Sequence, residues 1–192
     1  MFVLRSSASK DSGRFRPSAT SAGAKLPAGR ERSKGLDPSA SFRLRPTVAS
    51  DAPAINACVD AAYAQWIPVI GRKPWPMLQD YATVIEAEQV VVAESNGAIG
   101  GVLVLSTTPD GFLIENVAVL PELRGRGIGR ALLIHAEHEA RARGHSSLYL
   151  YTNEKMAENI AMYVTNGYVE YAREEGQGFR RVFLRKQLDR AH

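Results

Sequence analysis

Between Phe112 and Arg143 the chain joins a β-rich run, a glycine loop and an amphipathic helix without interruption, and this succession constrains the fold more than any other feature. Phe112 to Leu120 reads as a strand, stopped by Pro121. Leu123-Arg124-Gly125-Arg126-Gly127-Ile128-Gly129-Arg130 follows. From Gly127 to Arg143, the residues Ile128, Leu132, Leu133, Ala136 and Ala140 recur at helical spacing, and Gly144 is the stop signal. Such a strand–loop–helix run belongs to an α/β layered domain whose helices pack on a sheet.

The other segments supply the rest of that sheet. Phe42-Arg43-Leu44-Arg45-Pro46 alternates as a short half-buried strand does. Asp51 or Ser50 is positioned to cap a helix carrying Ile55, Cys58, Val59 and Ala62. Residues 66 to 78, dense in proline and aromatics, read as an irregular loop, and a short helix is expected from Leu78 to Ile85. Gln89 to Ser95 and Ala98 to Leu105 form a hairpin through Asn96-Gly97. Leu148 to Thr152 is a strand, Ala157 to Asn166 a helix closed by Gly167, and Tyr168 to Ala172 with Val182 to Arg185 a final β pair. The order is βααβββαβαββ, without an internal repeat.

Charge divides the chain unevenly. Residues 1 to 41 hold eight Lys or Arg against three acidic side chains, with nine Ser, four Gly and three Pro, so a disordered basic tail is expected there. Residues 42 to 192 carry 16 basic and 17 acidic side chains, and are expected to form the one folded domain. A near-neutral domain argues against specific nucleic-acid binding, which needs clustered phosphate-neutralising charge. No apolar run approaches the roughly 20 residues that span a bilayer. Cys58 is the only cysteine, so neither an intrachain disulfide nor a cysteine-rich zinc site can form; a reducing, cytoplasmic setting is expected. His138-Glu139 begins an H-E-x-x-H pattern but Ala142 stands at the second histidine, so no metal site is expected.

Helix-initial amides beside glycines suit a phosphate. A P-loop needs Gly-Lys-Ser/Thr, which does not occur, and a dinucleotide fingerprint needs a third glycine where Arg130 or Leu132 stands. The pattern that fits is R-x-x-G-x-G, met by Arg124, Gly127 and Gly129. With the strand Ile114-Glu115-Asn116-Val117-Ala118-Val119 before it, and Asn159-Ile160-Ala161-Met162-Tyr163 then Asn166-Gly167-Tyr168 after it, the chain resembles the GCN5-related N-acetyltransferase (GNAT) superfamily.

The resemblance implies a mixed central sheet with helices on both faces and central strands splayed to admit coenzyme A. Acetyl-CoA is the implied co-substrate, its diphosphate on the loop formed by Arg124, Gly125, Arg126, Gly127, Ile128, Gly129 and Arg130. Its pantetheine arm is expected along Val117, Ala118 and Val119, with Val117 and Val119 as amide donors, and beside Asn159. Asn159 and Tyr163 are four apart and share a helix face, while Ile160, Ala161 and Val164 can pack inward. Tyr163 is the implied acid for the leaving thiolate and Glu115 the candidate base for the amine. Met77, Tyr81 and Trp66 are expected as acceptor-pocket walls or as core; Arg72 and Lys73 either recognise a carboxylate or are a solvated pair. The implied function is transfer of an acetyl group to a primary amine, the acceptor being a small molecule or a peptide. Two other readings stay open: a catalytically silent CoA-binding sensor or interaction module, and a nucleic-acid-associated protein using the basic tail.

Overall fold

The computed structural model describes residues 41–176 and 179–189. The expected basic tail, residues 1 to 41, lies outside the described residues except for Ser41. Seven strands form one sheet in the order β1-β2-β3-β4-β5-β7-β6. They are β1 Arg43–Pro46, β2 Gln89–Ser95, β3 Ala98–Thr108, β4 Gly111–Val119, β5 Ser147–Asn153, β6 Val169–Gly176 and β7 Phe179–Gln187. All neighbours are antiparallel except β4 and β5, which run parallel with α4, Ile128–Ala142, as their crossover.

Helices α1, Ala52–Tyr63, and α3, Tyr81–Ala87, cover one face of β2 to β4. Ile55, Cys58, Val59, Ala62 and Tyr81 pack there on Val90, Val92, Val102, Val104 and Ala118. On the opposite face α4 sets Ile128, Leu132, Leu133, Ala136 and Ala140 against Val91, Leu103, Leu105, Phe112 and Ile114. That second core continues under β5 and β7 through Leu148, Leu150, Val182 and Leu184. Side chains alternate along a strand, so Val90 to Ala93 are all buried because helices lie on both faces there. The mixed sheet and two-sided helical cover agree with the expected architecture.

Local departures have physical reasons. Asp51 does not cap α1. Its carboxylate takes a bidentate pair from Arg45, at 2.7 and 3.0 Å, and the Val48 amide, so it caps the preceding turn instead. The stretch from 66 to 78 contains α2, Ile67–Ile70, and a 3-10 turn, Trp75–Leu78, where Pro68 and Pro76 sit within the first turn and remove a donor that would lack a partner anyway. α3 begins at Tyr81 rather than Leu78, since the Asp80 side chain accepts from the Ala82 amide at 3.1 Å and the Thr83 hydroxyl at 2.9 Å. β6 and β7 run longer than expected, their ends carrying Arg and Glu that suit an exposed ribbon.

Candidate active site

β4 and β5 pair only at Phe112 with Leu148 and Leu113 with Tyr149, and then part. A bulge between Ile114 and Asn116, where Glu115 is the extra residue opposite Val104 and Leu105, bends β4 at that point. The register beyond the bulge decides which amides face the opening. Leu120 donates its amide to the Gly100 carbonyl at 3.0 Å. Antiparallel ladders alternate, so Ala118 and Asn116 also turn their amides to β3, while Val117 and Val119 turn theirs away from it, toward the side β5 has left. Ala118 lines the same space but its side chain belongs to the core under α1.

At the far end of β4 the chain passes through a short turn, Pro121–Leu123, into the glycine loop. Gly125 and Gly127 have φ of 76° and 81°, a region that side chains with a Cβ adopt at a penalty of roughly 1–2 kcal/mol. α4 begins without a side-chain cap, so its first-turn amides are left for a ligand. Two residues outside the loop hold it there. A Cβ on Gly101 would come within 2.8 Å of Ile128, and one on Gly100 would overlap Leu123, so these β3 glycines let the loop and the start of α4 approach the sheet. Arg124 anchors the other wall, donating to the Ala62 carbonyl at 2.8 Å and to Gln65 at 2.9 Å, which satisfies the C-terminal end of α1. Its guanidinium is thus a strut of the cleft, and its backbone is part of the lining.

The third wall is α5, Ala157–Thr165. Tyr163 is 7% exposed and packs edge-on to Tyr168, with ring centroids 5.9 Å apart. Val164 is 54% exposed and Ala161 is exposed too, so the expected inward packing of these two is corrected: Ile160, Met162 and Tyr163 turn inward. No hydrogen bond to a described residue ties the Tyr163 hydroxyl. Burial pushes its pKa up to about 12, which keeps the phenol protonated. Facing it from α1 is Tyr63, also held neutral by burial and then by the neighbouring phenols of Tyr163 and Tyr81. Tyr63 donates to Asn116 Oδ1 at 2.7 Å, and Asn116 Nδ2 donates to Tyr81 Oη at 2.9 Å.

These walls enclose a cleft of about 370 Å³. Of the expected residues it is lined by Val117, Ala118, Val119, Arg124, Gly125, Gly127, Ile128, Gly129, Arg130, Asn159 and Tyr163. Arg126 and Glu115 are not in the lining. Glu115 is exposed at the bulge, where its Oε1 accepts from the Ser106 hydroxyl at 2.7 Å. Trp66 lines the cleft, whereas Tyr81 is a fully buried core residue and Met77 packs against the same core. Tyr63 and Asn116 escaped the sequence reading, because a helix-end tyrosine and a strand asparagine carry no motif. The one available signal was Asn116 itself, a polar residue within an apolar strand.

The lining fits a long, phosphate-bearing acyl carrier. Two β4 amides face the space without a β5 partner, the first turn of α4 offers more, and a Cβ on Gly129 would meet only Val119 Cγ2 at 3.8 Å. Gly129 is therefore not required by the chain's own packing, and its bare surface faces the cleft. A sheet split beside a helix N terminus, with a phenol on the facing wall, makes this an α/β protein with a ligand-sized cleft in its sheet.

The chain belongs to the acetyltransferase (GNAT) family, whose model matches residues 55–168. Its sequence is 33% identical over 96 residues to an IAA acetyltransferase of Azospirillum brasilense, covering 48% of this chain and 63% of that protein. It is 33% identical over 75 residues to the [ribosomal protein bS18]-alanine N-acetyltransferase of Escherichia coli, covering 39% of this chain and 51% of that one. The matches thus span less than two thirds of these relatives' lengths. The crystal structure of the ribosomal-protein-S18-alanine N-acetyltransferase from Escherichia coli superposes with a TM-score of 0.65 at 22% identity, over 79% of this chain and 97% of that one. An N-acetyltransferase from Thermoplasma acidophilum, solved in complex with coenzyme A, gives 0.64 at 15% identity, over 77% and 99%.

Proposed function

We propose that the protein is an acetyl-CoA-dependent N-acetyltransferase acting on an amine. The observation that carries this is the convergence of three separate elements on one cleft: the glycine loop with the start of α4, the free edge of β4, and Tyr163 of α5. The proposal accords with the acetyltransferase activities of the two relatives and with the coenzyme A bound by the Thermoplasma protein.

When bound, acetyl-CoA supplies an activated acyl thioester. The amides of the loop and of Ile128, Gly129 and Arg130 hold its diphosphate at the positive end of α4. The Val117 and Val119 amides hold the pantetheine arm in strand-like register, and an amide there polarises the acyl oxygen. Tyr163 would keep a proton on Oη within the cleft and give it to the sulfur released as the amine nitrogen bonds to the acyl carbon and the C–S bond breaks. Tyr63, tethered by Asn116, closes the wall opposite and limits water. Glu115 stands outside this cleft, beside the parting of β4 and β5, and takes a proton from an amine arriving there. An alkylamine near pKa ~10 is mostly protonated at neutral pH, so such a base or a water path is needed.

Calorimetric titration with coenzyme A, followed by mass-spectrometric detection of acetylated amines, tests the assignment. Binding in the micromolar range with product formation is expected. Absence of coenzyme A binding at high micromolar concentration overturns it.

A further inference from the structure

The face of β5 and β7 that points away from α4 carries a charge imbalance. Leu148, Leu150, Val182 and Leu184 belong to the core under α4, so by strand alternation Tyr149, Tyr151, Phe179, Arg181, Phe183 and Arg185 occupy the opposite face. The Arg181 guanidinium lies 5.3 Å from the Tyr151 ring centroid and 5.0 Å from that of Phe179. Arg72, following α2, lies 4.5 Å from the centroid of the same Phe179 ring. Neither arginine has a hydrogen bond or carboxylate partner among the described residues, and Arg181 Nε is buried without an acceptor. Arg185 on the same face also has its Nε buried without an acceptor, whereas Arg45 is paired with Asp51 and Glu94 and Arg173 with Glu170. Two guanidiniums thus share one ring, and a carboxylate is the anion whose two oxygens suit such forks.

This cluster adjoins the parting of β4 and β5. Tyr151 is two residues beyond the last paired position on β5, as Glu115 is on β4, and its 41% exposed ring opens to solvent. Arg181 and Glu115 both act on the Tyr151 phenol, with opposite sign. α2 is fastened over this region by Lys155, whose Nζ donates to the Val69 carbonyl at 3.2 Å. A negative group for an amine and a positive pair for an anion thus flank one exposed aromatic ring.

We propose that the acceptor is an amine that also carries a carboxylate, bound through that carboxylate by Arg72 and Arg181 with its nitrogen toward Glu115. This rests on the acetyltransferase reading above. Arg181 supplies a semi-buried, ring-stacked fork whose orientation is fixed before the ligand arrives, and Arg72 closes on it from the surface. The shared chemistry is the aminocarboxylate, which a free amino acid or a peptide with an acidic group can present.

The test uses the full chain with saturating acetyl-CoA and three matched pairs: amino acids against their carboxamides, ω-aminoalkanoates against theirs, and an acidic peptide against its amidated form. Products and KM are read by mass spectrometry. In at least one pair the carboxylate form is expected to show a KM about tenfold or more below its amide, the scale of a charge-assisted hydrogen bond; which pair does so identifies the source. R72Q, at an exposed position, and R181Q should each erase that difference, while R181K, keeping charge but not the fork, restores part of it. Equal KM values for both forms, or no acetylated aminocarboxylate from protein that binds acetyl-CoA, overturn this proposal and leave the acetyltransferase reading standing. Failure to bind acetyl-CoA overturns both.

Discussion

The two sides of the β4–β5 parting are built on opposite plans. Toward α4 the walls are main chain, glycines, strand amides and the first turn of a helix, faced by the phenols of Tyr63 and Tyr163. Toward β7 they are long side chains, Arg181 and Arg72 stacked on Tyr151 and Phe179, with Glu115 at the bulge. Backbone groups cannot be exchanged by substitution, so the first side suits a ligand that stays the same. Side chains can be exchanged one at a time, so the second suits a ligand that differs from one protein to another. On the proposed reading the co-substrate takes the first side and the acceptor the second, and each variant below should disturb one side alone.

The largest expected effect belongs to Tyr163. Y163F removes the proposed acid while leaving the ring that packs on Tyr168, so kcat should fall about 100-fold or more with the coenzyme A dissociation constant little changed. Rapid-mixing kinetics with a single amine would measure it. A variant within twofold of wild type would remove Tyr163 from the chemistry and with it the functional half of the comparison.

Alkaline titration probes the same residue through stability. With a folded pKa of about 12 against roughly 10 in the unfolded chain, Tyr163 is neutral in both states below pH ~10. Between pH ~10 and ~12 the unfolded state releases the proton that the folded state keeps, so stability falls as pH rises, by up to about 3 kcal/mol from this group. Burial pushes Tyr63, Tyr81 and Tyr168 in the same direction. Urea unfolding at pH 9 and pH 11 should show the loss, and Y163F should make its slope shallower; an unchanged slope would place the phenol in solvent.

Glu115 tests the other side. E115Q should lower kcat/KM about tenfold at pH 7, less than a fully enclosed base would, because water can substitute at an exposed carboxylate. The deficit should shrink as pH approaches the amine pKa near ~10, where the acceptor is already neutral. A deficit independent of pH would mean that Glu115 acts by shaping the bulge with Ser106 rather than by moving a proton.

The contrast also explains what could be read before folding. The loop, its helix and the hairpin are local: each is specified by residues within one short segment, so the segments that carry Gly125, Gly127, Gly129 and Tyr163, which all line the cleft, could be placed from sequence. That the Val117 and Val119 amides point the same way was legible for the same reason, since alternation along a strand needs only its own register. The side toward β7 was not. Arg72, Tyr151, Phe179 and Arg181 come together only because β5 pairs with β7 and α2 folds across them, and no local pattern encodes that pairing. Arg72 stands beside Lys73 in sequence, but in the fold it shares the Phe179 ring with Arg181, which no spacing along the chain announces. The Tyr63–Asn116–Tyr81 chain was hidden likewise, its members lying on α1, β4 and α3.

Gly129 gives the smallest and sharpest discrimination. Alanine is the better helix former by about 1 kcal/mol, and the added methyl would meet only Val119 Cγ2 at 3.8 Å, an ordinary contact. On folding grounds G129A should leave the melting temperature unchanged or raise it. On binding grounds it places a methyl against the surface where the diphosphate approaches the first-turn amides, and should weaken coenzyme A about fivefold to tenfold. A thermal-shift series read beside calorimetry separates the two terms within one protein. Weaker binding with equal or higher stability would mean that this glycine is kept for the ligand alone. Unimpaired binding would show that the diphosphate is carried by Gly125 and Gly127, whose positive φ values the fold requires in any case, and the backbone side of the parting would then end one turn earlier.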